Sequence, residues 1–161
     1  MMDKSLIIAK LQSVTDPEIP VLTIDDLGIL RDVEIDEDSV TVFITPTYNG
    51  CPAMDMISVH IKAALQELGI NNVEVKLIMH PAWTTDWISD EGRKKLWDYG
   101  ITPPQQGAAE LSLDDFTDPV VPCPRCTSKN TKMVSRFGST ACKSLYQCND
   151  CSEPFDYFKC H

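Results

Sequence analysis

Four cysteines in the last third of the chain have the spacing of a metal site. Cys123 and Cys126 form one C-x-x-C pair, Cys148 and Cys151 form a second, and 21 residues separate the two pairs. Two residues between cysteines allow both thiolates of a pair to bind one ion from a tight turn, and two such turns complete a tetrahedral four-sulfur shell. The pattern therefore predicts a closed structural zinc site at the two ends of a hairpin.

Disulfide bonds in a secreted protein are the main alternative for closely spaced cysteines. The chain has seven cysteines, an odd number, so complete pairing would leave one thiol over. The apolar run at residues 6–9 is too short for a signal peptide or a membrane span. We therefore expect a cytoplasmic protein that does not associate with membranes, in which paired C-x-x-C motifs bind metal. Redox-active dithiols and an iron site remain as alternatives to zinc.

Two further cysteines flank the predicted metal ligands. Cys142 lies between the two pairs and Cys160 follows the second pair. Either thiol could replace a ligand after oxidation or help to hold a second metal. We rank both below the four paired cysteines and expect zinc binding to be independent of Cys142.

The distribution of charge divides the chain into an acidic body and a mildly basic end. Residues 1–100 carry 17 acidic and 8 basic side chains, residues 101–122 carry four acidic and no basic ones, and residues 123–161 carry three acidic and six basic ones. Prolines and glycines between residues 100 and 122 mark the start of a linker. We predict a body at 1–100, a linker at 101–122 and a zinc ribbon at 123–161.

The body is predicted to be an α+β domain, a small mixed sheet with helices on one face. This prediction rests on apolar residues at helical spacing and on runs rich in β-branched residues. The predicted elements are, in chain order, a helix at 3–14, a hairpin of strands at 27–35 and 40–45, a helix at 54–68 closed by Gly69, a strand at 73–79 and a helix at 89–99.

The ribbon is predicted to contain three short strands and to need its metal to fold. The strands are expected at residues 132–137, 144–147 and 155–159. About 39 residues bury too little surface to fold unaided, so metal binding should supply most of the folding free energy.

A fifth cysteine, Cys51, is followed by a proline directly before the second predicted helix. Proline suits the first position of a helix, which predicts Cys51 as the N-cap. The helix N-terminus should then lower the pKa of the thiol and raise its affinity for soft metals. The alternative is a buried cysteine that acts as a small apolar side chain.

Two carboxylates lie on a loop stiffened by prolines, in the sequence Asp16-Pro17-Glu18-Ile19-Pro20. They could bind a metal ion or orient a partner. The alternative is that both are polar loop residues, with Asp16 accepting hydrogen bonds from nearby backbone amides.

These motifs resemble a known family. Asp16-Pro-Glu18, Thr47-x-x-x-Cys51-Pro52 and Pro81-x-Trp83 are similar to the iron-sulfur assembly domain of bacterial assembly factors and of a eukaryotic cytosolic targeting subunit. The resemblance covers about residues 1–100. It implies that Cys51, Asp16, Glu18 and Thr47 handle a transient iron ion or iron-sulfur cluster.

The chain as a whole resembles the PaaD-like accessory proteins of bacterial phenylacetyl-CoA epoxidase systems, through residues 137–146 and 153–159 around the ribbon cysteines. The family accompanies a di-iron oxygenase and a reductase that carries a flavin and an iron-sulfur cluster. The resemblance implies that the accessory protein helps to mature these components, which are then its partners in phenylacetate catabolism, without taking part in catalysis. One departure from zinc ribbons is that Thr127 and Ser152 stand where glycine often follows the second cysteine of a pair.

The sequence thus favours a non-catalytic maturation factor with a structural zinc, and sets no oligomeric state. One alternative is an enzyme with Cys51 as its nucleophile, for which neither His60 nor His80 is in a context that marks it as the base. The other is a ribbon that binds nucleic acid, which would require a far more basic surface than a chain with a net charge of −10 provides.

Overall fold

The computed structural model describes residues 3–105 and 120–159, and nothing is described for residues 106–119 or for Cys160. The chain divides into two compact units. The first unit comprises residues 1–83 and 87–92, and the second comprises residues 84–86 and 93–161. No helix of the described part of the chain is both long and apolar enough to span a bilayer.

The first unit contains a three-stranded mixed sheet. Strands β1 (Leu30–Ile35) and β2 (Val40–Ile44) form the predicted antiparallel hairpin. Strand β3 (Val73–Leu77) pairs with β2 in parallel, so the sheet order is β1-β2-β3. A parallel pair requires a crossover between its strands, and the second helix of the chain provides it.

Two helices pack in the first unit. Helix α1 (Lys4–Leu11) begins after Asp3, whose carboxylate accepts a hydrogen bond from the backbone N–H of Ser5 at 2.9 Å. Helix α2 (Ala53–Gln66) contacts both α1 and β3, while α1 also contacts β1. The inward residues of these elements are almost fully buried: Ile7, Leu11, Val40, Val42, Ile44, Ile57, Ile61 and Leu65. The α+β fold predicted from the spacing of apolar residues is confirmed.

Strand β1 begins three residues later than predicted because a tight turn precedes it. Gly28 has a φ of +69°, which L-amino acids with a side chain rarely adopt. The backbone N–H of Ile29 donates to the carbonyl of Ile24 at 2.9 Å, and the indole N–H of Trp83 donates to the carbonyl of Leu27 at 2.7 Å. Residues 27–29 are therefore held in a packed loop instead of a strand.

Helix α3 (Asp90–Asp98) begins one residue after Ser89, its predicted start. The Ser89 hydroxyl accepts a hydrogen bond from the backbone N–H of Gly92 at 2.9 Å, as an N-cap does. The same hydroxyl donates a hydrogen bond to the carboxylate of Asp26 at 3.3 Å. This bond connects the start of the helix to the loop before β1. Gly100, with a φ of +88°, follows the end of the helix.

The second unit contains a four-stranded sheet in the order β4-β7-β6-β5. Its three main strands, close to the predicted positions, are β5 (Thr131–Ser135), β6 (Lys143–Cys148) and β7 (Pro154–Phe158). Strand β4 (Ile101–Thr102) pairs in parallel with β7, although these two residues lie in the range predicted as a linker. Both are buried, at 4% and 2% exposure, so packing draws them into the sheet despite the prolines that follow.

Candidate functional site

The four paired cysteines converge on one point at the end of the ribbon. Their sulfur atoms all lie within 4.8 Å of one another. The Cys123 and Cys151 sulfurs are 3.7 Å apart, and those of Cys126 and Cys148 are 3.5 Å apart. No disulfide joins any of the described cysteines. The alternative of a disulfide framework therefore has no support in this part of the chain.

The spacing of the sulfurs fits a tetrahedral zinc ion. Zinc–sulfur bonds of about 2.3 Å in a tetrahedron place the sulfur atoms roughly 3.8 Å apart. The separations of 3.7 Å between Cys123 and Cys151 and of 3.5 Å between Cys126 and Cys148 come close to this distance. Four thiolates complete the shell, so a zinc ion held here would have no open position for a substrate and would act as a structural element.

Hydrogen bonds favour the thiolate form of one ribbon cysteine, Cys148. The backbone N–H of Cys151 points at the sulfur of Cys148 at 3.5 Å. This contact is the main cause that lowers the pKa of Cys148 to about 7, with the backbone N–H of Asp150 acting in the same direction. A lower pKa favours the thiolate, which is the form that binds metal.

Polar contacts join the two cysteine turns to each other. The carboxylate of Asp150 accepts hydrogen bonds from the hydroxyl of Ser128 and, at 2.9 Å, from the amide of Asn130. Arg125 in the first turn forms a 2.7 Å ion pair with Glu153, which follows the second turn. In the folded ribbon these bonds connect the turn that carries Cys123 and Cys126 to the turn that carries Cys148 and Cys151.

The residues that replace the expected glycines adopt the glycine conformation. Thr127 has a φ of +64° and Ser152 has a φ of +65°. Both are non-glycine residues in the left-handed region, and this region is unusual above all for a β-branched residue such as threonine. Both turns thus adopt the backbone conformation that glycine would give, at a cost in backbone strain of about 1–2 kcal/mol per residue.

Cys142 is not part of the four-sulfur cluster. Its thiol is buried, at 5% exposure, and lies 3.0 Å from the hydroxyl of Thr140. Among the described residues, the one group of three or more possible metal ligands does not include Cys142. Cys160, the other flanking cysteine of the sequence analysis, lies outside the described residues.

Cys51 lies beside the start of α2, but it is not the N-cap as predicted. The helix begins at Ala53, and Pro52 occupies the cap position without a side-chain hydrogen bond. The Cys51 backbone instead closes turns on both sides, donating to the carbonyl of Tyr48 at 3.3 Å and accepting from Met54 at 3.4 Å. The side chain is buried to 9% exposure.

The prediction that the helix start lowers the pKa of Cys51 is wrong. Burial raises the pKa of this thiol above its ordinary value, since a thiolate is poorly solvated there. Hydrogen bonds from the backbone of Ala53 and from the side chain of Tyr48 lower the pKa, whereas the charges of Glu18 and Asp16 raise it further. Burial and the two carboxylates outweigh the donors at the helix start.

Asp16 has the local role that the sequence offered as the alternative. Its carboxylate accepts hydrogen bonds from the backbone N–H groups of Glu18 at 2.8 Å and Ile19 at 2.9 Å. The residue is buried, at 7% exposure, whereas Glu18 and Thr47 are half-buried. Asp16 therefore shapes the loop that brings the Glu18 carboxylate within electrostatic reach of Cys51.

Tyr48 is a member of this site that the sequence analysis missed. Its side chain forms a hydrogen bond with the thiol of Cys51, and its carbonyl accepts from the Cys51 backbone. The signal available in the sequence was its position three residues before the cysteine, which allows a turn to bring both groups together.

Comparison with known proteins identifies both halves of the chain. Residues 4–77 match the family model described as "Iron-sulfur cluster assembly protein", and residues 108–159 match the "PaaD zinc beta ribbon domain". The chain is 48% identical over 152 residues to a protein of Escherichia coli K12 that is named as a subunit of the "Putative 1,2-phenylacetyl-CoA epoxidase". The alignment covers 94% of this chain and 90% of that protein. The chain belongs to the PaaD family.

The first half of this PaaD family member also resembles shorter proteins. A Bacillus subtilis protein named "Fe-S protein maturation auxiliary factor YitW" is 39% identical over 88 residues, which are 53% of this chain and 85% of that protein. A solved domain of unknown function (DUF59) from Bacillus anthracis matches with a TM-score of 0.54 and 29% identity, covering 58% of this chain and 90% of that one. The ribbon match and the four-cysteine cluster together support a structural zinc.

Proposed function

We propose that this chain is a non-catalytic maturation factor of a phenylacetyl-CoA epoxidase system. It helps to install iron or an iron-sulfur cluster in the oxygenase or the reductase component. The observation that carries the proposal is the grouping of one buried thiol, Cys51, with the negative charges of Glu18 and Asp16. The names of the relatives, an epoxidase subunit and several maturation auxiliary factors, support the same role.

The charges around Cys51 suit a cationic cargo. Glu18 and Asp16 disfavour an empty thiolate, because a third negative charge would be added to two existing ones. A bound iron ion or cluster iron reverses the sign of this effect, because its positive charge attracts the same carboxylates. The thiol of Cys51 should therefore lose its proton when the cation binds. Coupled deprotonation and binding of this kind is expected of a carrier that takes up metal and releases it.

The same charges argue against a thiol enzyme. A cysteine nucleophile is activated by a nearby base or by positive charge, and the named charged groups that act on Cys51 are both anionic. His60 is exposed on α2 about two turns after Ala53, or roughly 10 Å along the helix axis. Tyr48 and the Ala53 backbone provide the hydrogen bonds that lower the pKa of the thiol, and neither is a base near neutral pH.

Substitution of the thiol tests the proposal. We expect Cys51→Ser to leave the fold and the ribbon zinc unchanged, because the residue is absent from the four-sulfur cluster. When the variant is co-expressed with the oxygenase and reductase components, the purified components should contain several-fold less iron or cluster than with the wild type. Metal analysis and visible absorption spectra of those components measure the effect.

The order of addition separates a maturation factor from an enzyme. Components that were matured with the wild-type chain should turn over at the same rate after this chain is removed. The proposal fails if Cys51→Ser leaves the metal content of both components unchanged, or if turnover by matured components stops without the chain.

Neutralising Glu18 tests the electrostatics of the site. In Glu18→Gln one negative charge near Cys51 is lost, so the pKa of the thiol should fall and its thiolate should form at lower pH. Alkylation of Cys51 by iodoacetamide near neutral pH should then be about two- to threefold faster than in the wild type. Mass spectrometry of the peptide that contains Cys51, over a series of pH values, provides the rates.

Glu37→Gln is the matched control for this measurement. It removes the same charge from an exposed position in the turn between β1 and β2, at the opposite end of β2 from Cys51. Its alkylation profile should match the wild type. Asp16→Asn is less suitable, because Asp16 also holds the loop through two backbone hydrogen bonds. Equal rates for Glu18→Gln and the wild type would show that Glu18 does not act on the thiol.

A further inference from the structure

The carboxylates of the ribbon are already engaged by neighbouring side chains. Residues 120–159 carry six lysine or arginine side chains and three aspartate or glutamate side chains. The three acidic residues have these partners: Asp150 with Ser128 and Asn130, Glu153 with Arg125 at 2.7 Å, and Asp156 with Lys143 at 3.9 Å. Four of the six cations remain after these contacts are assigned.

Three of the four remaining cations lie on strand β5 or next to its ends, and the fourth, Lys159, comes directly after β7. Lys129 precedes the strand, Lys132 lies on it, and Arg136 comes directly after it. The ammonium group of Lys159 donates a hydrogen bond to the carbonyl of Arg136. Within residues 3–105 and 120–159, none of the four forms an ion pair with a carboxylate. The net positive charge of the described ribbon is therefore concentrated at β5 and at Lys159, which contacts its end.

Two exposed apolar side chains lie among these cations. Val134 on β5 is 54% exposed, and Phe137 just after the strand is 59% exposed. The Lys159 ammonium lies 4.1 Å from the centre of the Phe137 ring, in a cation–π contact. We refer to Lys129, Lys132, Val134, Arg136, Phe137 and Lys159 as the β5 strip. Exposed apolar groups with a charged rim are the composition of a protein contact surface.

Two like charges are held close together at one end of the strip. Partial burial lowers the pKa of Lys159, and the positive charge of Arg136 lowers it further. A carboxylate near these groups would offset the repulsion between them, and hydrogen bonds between oppositely charged groups are stronger than those between neutral groups. This end of the strip is thus complementary to an anionic group.

The edge of β5 itself is not suited to the addition of another strand. In the described sheet β5 pairs with β6 alone, so its other edge is open. The pairing with β6 is irregular between Met133 and Ser135, and Lys132 stands on the strand. Bulges and lysines are features that oppose the pairing of an open edge with a new chain. A partner would therefore contact the side chains of the strip and not the backbone edge.

We propose that the β5 strip is a docking surface for an acidic patch on the client protein that receives the metal. The identity of the client, the oxygenase or the reductase component, rests on the proposed function, whereas the acidic character of its patch follows from the strip. A protein patch with a few carboxylates fits better than nucleic acid, because a long polyanion would be repelled by a chain with a net charge of −10.

Charge reversal in the strip tests the docking surface. The full-length, zinc-loaded chain is titrated with the purified oxygenase component and with the purified reductase component, and binding is followed by calorimetry. Arg136→Glu should weaken the wild-type affinity for one of them by about tenfold or more. Wild-type binding should weaken by a similar factor between about 0.05 M and 0.3 M NaCl, since exposed charges are screened by salt.

Lys62→Glu is the matched control, because it makes the same charge change at an exposed position of α2 in the first unit. Its affinity should stay within about twofold of the wild type, as expected for a cation away from a docking surface. The proposal is overturned if Arg136→Glu binds like the wild type, if Lys62→Glu weakens binding equally, or if neither component binds. Tighter binding of a single-stranded DNA oligonucleotide than of either component would also overturn it. Zinc analysis of both variants confirms that the ribbon is folded.

Docking and metal transfer can fail separately. If both proposals hold, excess Arg136→Glu protein should restore the metal content of the client, whereas excess Cys51→Ser protein should bind the client but leave it metal-poor. If Cys51→Ser supports normal metal content while Arg136→Glu still weakens binding, the strip is a docking surface and the maturation role is wrong. If Cys51→Ser lowers the metal content and Arg136→Glu binds normally, the maturation role is supported and the strip is not the docking surface.

Discussion

Removal of the metal from the four-cysteine cluster is expected to unfold the ribbon while the first unit keeps its cooperative unfolding transition. Within residues 120–159, the apolar core around the cluster contains six buried residues, and two of them, Cys123 and Cys148, are themselves in the cluster. A core of this size supplies little folding free energy, whereas a structural zinc contributes about 10–16 kcal/mol in small zinc modules. The stability of the ribbon should therefore depend almost entirely on the ion.

A high-affinity chelator and differential scanning calorimetry check this expectation. The near-ultraviolet circular dichroism of Tyr146 and Tyr157, which lie edge to face in the ribbon core, should disappear on chelation. The transition of the first unit should remain, since the described metal-ligand cluster lies outside it. Simultaneous loss of both transitions would show that the two units unfold as one.

Two serine substitutions in the same part of the ribbon serve as a matched pair. Cys148→Ser removes a buried ligand at the end of β6, and Cys142→Ser removes a buried thiol just before β6 that is absent from the cluster. Only Cys148→Ser should lower the zinc content and reproduce the effect of chelation. Equal zinc loss in both variants would mean that Cys142 is also a ligand.

Alanine at Gly28 is expected to destabilise the first unit by about 2–5 kcal/mol. Gly28 has a φ of +69°, and a Cβ atom there would lie 2.8 Å from both the Cβ atom and the carbonyl oxygen of Trp87. The backbone of Trp87 cannot move freely, because the neighbouring Ser89 is hydrogen-bonded to Asp26 at 2.8 Å through its backbone. Backbone strain and a steric clash therefore act together.

Gly69→Ala separates these two effects. Gly69 follows α2 with a φ of +80°, and a Cβ atom there would meet nothing within 4 Å. Gly69→Ala should lower the free energy of unfolding by about 1–2 kcal/mol, the cost of the backbone strain alone. Urea unfolding of the two variants followed by tryptophan fluorescence gives both values. Equal destabilisation by the two substitutions would show that the contact with Trp87 contributes nothing.

The positions of the helices and strands could be predicted because apolar periodicity records which side of an element is buried. The spacing of Ile57, Ile61 and Leu65 predicted the bounds of α2 to within a few residues. The acidic turn between two runs rich in β-branched residues predicted the first hairpin. Strand β4 could not be predicted, because two residues carry no periodicity and their pairing with β7 is a tertiary contact. The loop at Gly28 could not be predicted for the same reason, because Gly28 packs against Trp87, which is distant in the sequence.

The ribbon ligands could be read from the sequence more easily than the chemistry of Cys51. Paired C-x-x-C motifs bring their own turn geometry, so four positions suffice to define the cluster. The pKa of Cys51 depends instead on burial and on Glu18 and Asp16, which a loop more than 30 residues earlier places nearby. A local rule about helix starts gave the wrong direction because these tertiary effects are larger.

In the second unit, hydrogen bonds join the residues before position 106 to the residues after position 119. The amide of Gln105 donates to the carbonyl of Val120 at 2.9 Å, and the hydroxyl of Thr102 donates to that of Pro122 at 2.8 Å. If the backbone were cut anywhere between residues 106 and 119, these two hydrogen bonds and the pairing of β4 with β7 would still connect Ile101 and Thr102 to the strands of the ribbon.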